Sequence, residues 1–135
     1  MRTITTTIIS LFFLTNIFGQ VTDSNLKIAH LTGDFYVFTT FNLYKWVRIP
    51  ANGVYLIANN GVVMFDTPWD TTQFQPLLDS IKVKHNKNVT LCIATHFHED
   101  RTGGLEYYRK QGIKTYTTKK LMNLVKEAAK KELNF

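Results

Sequence analysis

The chain has 135 residues, 44% hydrophobic and 19% charged, which is the composition of one folded domain and excludes wholesale disorder. Sixteen Lys and Arg against ten Asp and Glu give a formal charge of +6, but apart from Arg2 the basic residues are scattered between positions 27 and 131, so charge alone marks no nucleic-acid or membrane partner. A single cysteine, Cys92, excludes an internal disulfide framework and a cysteine-rich zinc finger.

Residues 1–19 have the layout of a secretory signal peptide: a positive start at Met1-Arg2, an apolar run over 8–14, and the small residue Gly19 before Gln20. They are too short and too rich in Thr for a membrane span. Cleavage near Gln20 is expected, with an exported mature chain and no membrane attachment after it. A β-branched and aromatic strand is predicted over 35–40. Residues 41–50 carry Tyr44, Trp46 and Arg48 without a period and read as a loop, punctuated by Pro50 and Asn52-Gly53. The clearest hairpin joins strands 54–58 and 62–65 around Asn59-Asn60-Gly61. Both strands are almost continuously apolar and so should be covered on both faces. Phe74, Leu77, Leu78 and Ile81 recur at helical spacing, with Thr71 or Thr72 as the cap, and 86–88 end that helix. A buried strand at 89–94 runs straight into Thr95-His96-Phe97-His98-Glu99-Asp100. After Gly103-Gly104 come a short helix at 105–110, a strand at 113–116 and an amphipathic helix at 121–133. This order, β-β-β-α-β-α-β-α, indicates a layered α/β fold.

The chemistry concentrates just beyond the 89–94 strand. His96, His98 and Asp100 stand at i, i+2 and i+4, so in extended chain they leave on one face, with Phe97 turned the other way into the core. Imidazole nitrogen and carboxylate oxygen are the non-thiolate ligands zinc prefers. A solvated loop with two incidental histidines is the competing reading, and a bare His-x-His would not displace it. His-x-His-x-Asp between an apolar strand and Gly-Gly is a stronger signal, and metal binding is the expectation.

The stretch 95–106, Thr-His-Phe-His-Glu-Asp-Arg-Thr-Gly-Gly-Leu-Glu, resembles the zinc motif of the metallo-β-lactamases. The similarity is greatest to the di-zinc subclass with a three-histidine site and an Asp-Cys-His site. Asp66-Thr67-Pro68-Trp69 resembles the family's upstream motif. The resemblance implies an αβ/βα sandwich, of which residues 20–135 supply the first αβ half. It also implies a periplasmic enzyme that opens the β-lactam amide by attack of a zinc-bound hydroxide and so confers antibiotic resistance. Carried over by position, His96 and His98 are ligands of the first zinc, and Asp100 is a ligand of the second that also orients the hydroxide. Asp66 and Arg101 support the ligands from behind, and Trp46 lies on a mobile loop that closes over a small-molecule substrate. Glyoxalase-like hydrolases of the same fold, which act on thioesters, usually carry a histidine where this chain has Arg101.

Complete members of the family are close to twice this length. The third histidine of the first site, the Cys and His of the second and a substrate-binding Lys have no counterpart here; Cys92 precedes the histidines and reads as a small core residue. His30 and His85 read as surface or packing residues. The chain is therefore expected to be the first half of a longer enzyme, or a truncated product inactive alone; a non-catalytic exported half-domain is the remaining alternative.

Overall fold

The computed structural model of the chain describes residues 25–120 and Asn123. The signal peptide expected at 1–19 and, Asn123 apart, the helix expected at 121–133 lie outside the described residues. Six strands form one sheet in chain order: β1 (Leu26–Thr32), β2 (Phe35–Tyr44), β3 (Val47–Ala58), β4 (Gly61–Phe65), β5 (Val89–Ile93) and β6 (Lys114–Tyr116). The first four make an antiparallel meander, while β5 and β6 run parallel to β4. Parallel neighbours need a long crossover. Helix α1 (Phe74–His85) supplies the first, and α2 (Glu99–Thr102) with α3 (Leu105–Lys110) the second.

The core lies between the helices and one face of the sheet. Tyr36, Tyr55, Met64, Cys92 and Thr115 stand in register across β2 to β6, and Tyr55, Met64 and Cys92 are fully buried. Phe74, Leu77 and Ile81 of α1 pack against this face at helical spacing, and Tyr108 of α3 closes it. On the opposite face Val37, Val54, Leu56, Val63, Phe65, Leu91 and Ile93 are only half-buried.

The structure departs from the sequence reading at several elements. β1 was not anticipated, because His30 and Lys27 blur its alternation. Residues 41–50 are not a loop: β2 and β3 pair in regular register from Phe35↔Leu56 to Tyr44↔Val47 and reverse at Lys45-Trp46. Pro50 is tolerated because β4 ends opposite Val54, leaving β3 with one neighbour at that point. Gly53 sits inside β3 because the Phe38 ring lies over it; a Cβ there would stand 2.1 Å from Phe38 Cζ. Asp70, not Thr71 or Thr72, caps the 3₁₀ turn at Thr71–Gln73 leading into α1, accepting the Thr72 amide at 2.9 Å. At the other end of α1, Asn86 adopts the left-handed conformation and donates to the Lys82 carbonyl.

Candidate metal centre

Because β4, β5 and β6 are parallel, their carboxyl ends gather along one edge, where open α/β sheets commonly hold their ligands. The chain leaves β5 after Ile93, and His98 is still extended (φ −69°, ψ 154°) as the residue just before α2. The His98 carbonyl accepts the amides of Arg101 and Thr102, while its imidazole makes no capping bond. That ring is instead perpendicular to His96, with centroids 4.3 Å apart and His96 Nε2 facing His98 Nδ1 at 3.1 Å. Two nitrogens on one tetrahedral zinc at 2.0–2.1 Å stand about 3.3 Å apart, so the exposed pair fits as two ligands of one ion. Phe97 does not enter the core as expected. It is half-buried, with its ring 4.7 Å from His96 and 4.3 Å from His98, and so braces both imidazoles.

Asp100 does not continue the extended alternation. Helix α2 begins at Glu99, and an acidic first turn suits a helix amino end. The Asp100 carboxylate meets Arg101 Nε at 3.2 Å. Among the described residues no group of three or more His, Cys, Asp or Glu is placed to hold a metal. The structure thus brings His96 and His98 together and turns Asp100 toward Arg101.

Arg101 ties three elements together. Besides Asp100 it faces Asp66 Oδ2 at 3.7 Å and donates to the Asn52 carbonyl on β3. Asp66 ends β4 in the left-handed region (φ 67°), with its amide on the Ile93 carbonyl. Its carboxylate does not cap the following helix; it accepts the Thr95 amide and hydroxyl, each at 2.8 Å, pinning the first residue of the histidine segment. Sequence reasoning missed Thr95, Thr67 and Asn52. Thr67 is buried, donates its amide to the Arg101 carbonyl and accepts the Gly104 amide at 3.0 Å. Gly104 was the available signal, since a Cβ there would lie 2.9 Å from Thr67 Cβ. Asn52 offers Arg101 its backbone carbonyl, which no side-chain pattern in the sequence marks.

Cys92 is buried beneath Asp66, and burial together with that carboxylate pushes its thiol up to about 12. That suits a core residue rather than a thiolate ligand. His85 packs edge-on to Tyr36 and Tyr55, with its Nε2 hydrogen-bonded to the Tyr55 hydroxyl at 3.0 Å, in keeping with a packing role. Trp46 stands 91% exposed at the β2–β3 turn, and its neighbour Tyr44 lies 6.2 Å from Trp69. A cavity of about 620 Å³ opens between α1, the start of β5 and the α3–β6 turn, away from the histidines.

Residues 49–118 match the family model of the metallo-beta-lactamase superfamily, a span that holds Asp66 and the whole 95–106 motif. Over 104 residues the chain is 46% identical to a "Metallo-beta-lactamase type 2" of Elizabethkingia meningoseptica, covering 77% of this chain and 41% of that protein. It is 39% identical over 100 residues to metallo-beta-lactamase IND-1 of Chryseobacterium indologenes, covering 74% and 42%. The crystal structure of metallo-beta-lactamase IND-7 superimposes with a TM-score of 0.74 at 38% identity, covering 82% of this chain and 50% of that one. The chain therefore spans about two fifths to one half of the length of these relatives. Sheet order, motif positions and matched span agree, and the chain belongs to the metallo-beta-lactamase superfamily.

Proposed function

We propose that this chain provides the first half of a zinc-dependent hydrolase that opens the β-lactam amide bond and confers resistance to β-lactam antibiotics. The carrying observation is the His96 Nε2–His98 Nδ1 pair, 3.1 Å apart at the carboxyl end of β5. In this reading residues 1–19 direct export to the periplasm, and residues 20–135 form the N-terminal part of the domain. Two zinc ions complete the site, with donors beyond those of this segment. Zinc supplies water acidified to a pKa of about 7 and Lewis-acid polarisation of the lactam carbonyl.

The chain's own residues hold and orient. His96 and His98 are two ligands of the first ion, and Phe97 limits their rotation. Asp100 is the candidate catalytic carboxylate, which would be a ligand of the second ion and would also orient the hydroxide. Arg101 and Asp66 fix its approach through the Asn52 and Thr95 contacts, as outer partners of metal ligands do. Trp46 offers an apolar wall to the substrate.

The test is hydrolysis of a chromogenic cephalosporin by the complete gene product, with and without chelator. Expected is turnover that chelator abolishes and zinc restores, and that His96→Ala removes. His96→Ala should also weaken zinc binding by more than the roughly 10–100-fold typical of outer partners. Chelator-insensitive turnover, or none with zinc supplied, would refute the reading; cleavage of S-lactoylglutathione without lactam turnover would favour a thioester hydrolase.

A further inference from the structure

Helix α2 is a single turn, Glu99–Thr102, and one turn fixes more backbone freedom than its own hydrogen bonds repay. Its pose is therefore set by what grips its ends. It carries Asp100 and Arg101, so the same grip sets where the carboxylate stands. At the amino end the His98 carbonyl accepts the amides of Arg101 and Thr102, and the Thr102 hydroxyl at 3.0 Å. At the carboxyl end the grip comes from Thr67, just beyond β4. The Thr67 amide donates to the Arg101 carbonyl at 3.1 Å, and the Thr67 hydroxyl oxygen accepts the Gly104 amide at 3.0 Å. The first of these bonds lies one residue from Asp100.

Thr67 is 2% exposed, so water does not compete for the Gly104 amide. The approach is close: a Cβ on Gly104 would stand 2.9 Å from Thr67 Cβ and 3.0 Å from Phe74 Cε1. The Arg101 side chain also reaches Asn52 and Asp66, but its long stem absorbs a backbone shift that the two Thr67 bonds resist. The preceding residue serves the other half of the site. Asp66 accepts the Thr95 amide and hydroxyl, and so anchors the segment that leads to His96 and His98. Of two adjacent residues, then, Asp66 holds the imidazole segment and Thr67 holds the helix that bears the carboxylate.

We propose that Thr67 is a positioning residue for Asp100, acting through the carboxyl end of α2, and that it tunes the second metal ion while leaving the first unaffected. This role rests on the hydrolase reading, in which Asp100 serves the second ion and His96 and His98 the first. Without the hydroxyl, the Gly104 amide is buried with no acceptor, and α2 relieves that by shifting toward water. Asp100 shifts with it. The histidines, pinned through Thr95, do not.

The experiment is zinc titration of the complete gene product by chelator competition, comparing Thr67→Ser, Thr67→Cys and Thr67→Val with the parent. Serine keeps the hydroxyl, cysteine offers a weak acceptor and valine none. Expected for Thr67→Val is a second zinc affinity lowered on the order of 10–100-fold, as for outer partners of metal ligands, with the first changed by less than about threefold. Thr67→Ser should match the parent and Thr67→Cys fall between; should the valine variant not fold, the cysteine variant carries the comparison. Hydrogen exchange of the zinc-free protein reads the same grip without turnover. The Gly104 and α2 amides should exchange faster in Thr67→Val, and those of α1 and β5 should not. Equal losses at both ions would overturn the proposal, as would a serine variant that behaves like valine. Cephalosporin turnover by the parent with an unchanged second affinity in Thr67→Val would overturn this role alone; a parent that takes up no zinc would overturn both it and the hydrolase reading.

Discussion

Seven apolar side chains, Val37, Val54, Leu56, Val63, Phe65, Leu91 and Ile93, line the sheet face that no described helix covers. If each leaves about 40 Å² of apolar surface in water, about 1 kcal/mol of burial is forgone per residue at about 25 cal/mol per Å². The total is about 7 kcal/mol, half or more of a typical domain stability of about 5–15 kcal/mol. Residues 20–135 alone should therefore self-associate over this face or lose fixed packing, and zinc should not restore it, since His96 and His98 lie at the strand ends. Polar substitution separates the two faces. Val63→Thr, Leu91→Thr and Ile93→Thr together should reduce self-association, whereas Val62→Thr, one residue away but fully buried, should cost about 1–3 kcal/mol and unfold a marginal chain. Light scattering over a concentration series, with binding of a hydrophobic dye, reads both. A monodisperse, dye-negative monomer with a cooperative thermal transition would refute the reasoning.

Asp66→Ala should cost about 2–4 kcal/mol, because the Thr95 amide and hydroxyl lose their acceptor and alanine is left at φ 67°. Asp66→Asn keeps an acceptor and tolerates that conformation, so urea midpoints should place it within about 1 kcal/mol of the parent. Gly53→Ala drives a methyl into the Phe38 ring and should cost about 3 kcal/mol, with partial recovery in Gly53→Ala/Phe38→Leu. His85 is held below its ordinary pKa, first by burial and then by Lys84, so the folded chain resists its protonation. Its contribution to stability is therefore full above about pH 6.5 and declines as pH falls below that value. Denaturant midpoints between pH 7.5 and 5 should show this decline, and His85→Gln should flatten it.

Much of the fold was legible because local pattern and tertiary role coincided. The apolar runs at 54–58 and 62–65 with Asn59-Asn60 between them, the helical spacing of Phe74, Leu77 and Ile81, and the five residues of α3 after Leu105 all describe elements that neighbours reinforce. Pro50 and Asn52-Gly53 misled because their breaking tendency was cancelled by tertiary facts no local window contains. Those facts are the absence of a second neighbour at Pro50 and the Phe38 ring over Gly53. At the site, the identity of His96 and His98 was legible but the path of Asp100 was not. Alternation presumes extended chain, and the acidic pair Glu99-Asp100 opens a helix. Arg101 was placed beside the ligands by resemblance alone; that it spans β3, β4 and α2 follows from the Asn52 and Thr67 contacts, which join residues far apart in sequence.

Every strand of the sheet lies beside the strand that precedes it in the chain. Assembly therefore needs no late strand inserted between two earlier ones, and loop-closure entropy stays small at each addition. The ten register pairs of the β2–β3 hairpin are available as soon as residue 56 is free to move, and β4 follows through a two-residue turn. β5 must wait for α1, and only its docking brings Thr95 to Asp66 and sets the histidines at the sheet edge. A chain emerging amino end first can thus lay down its scaffold progressively, and the imidazole pair is organised only after the antiparallel meander exists to receive it.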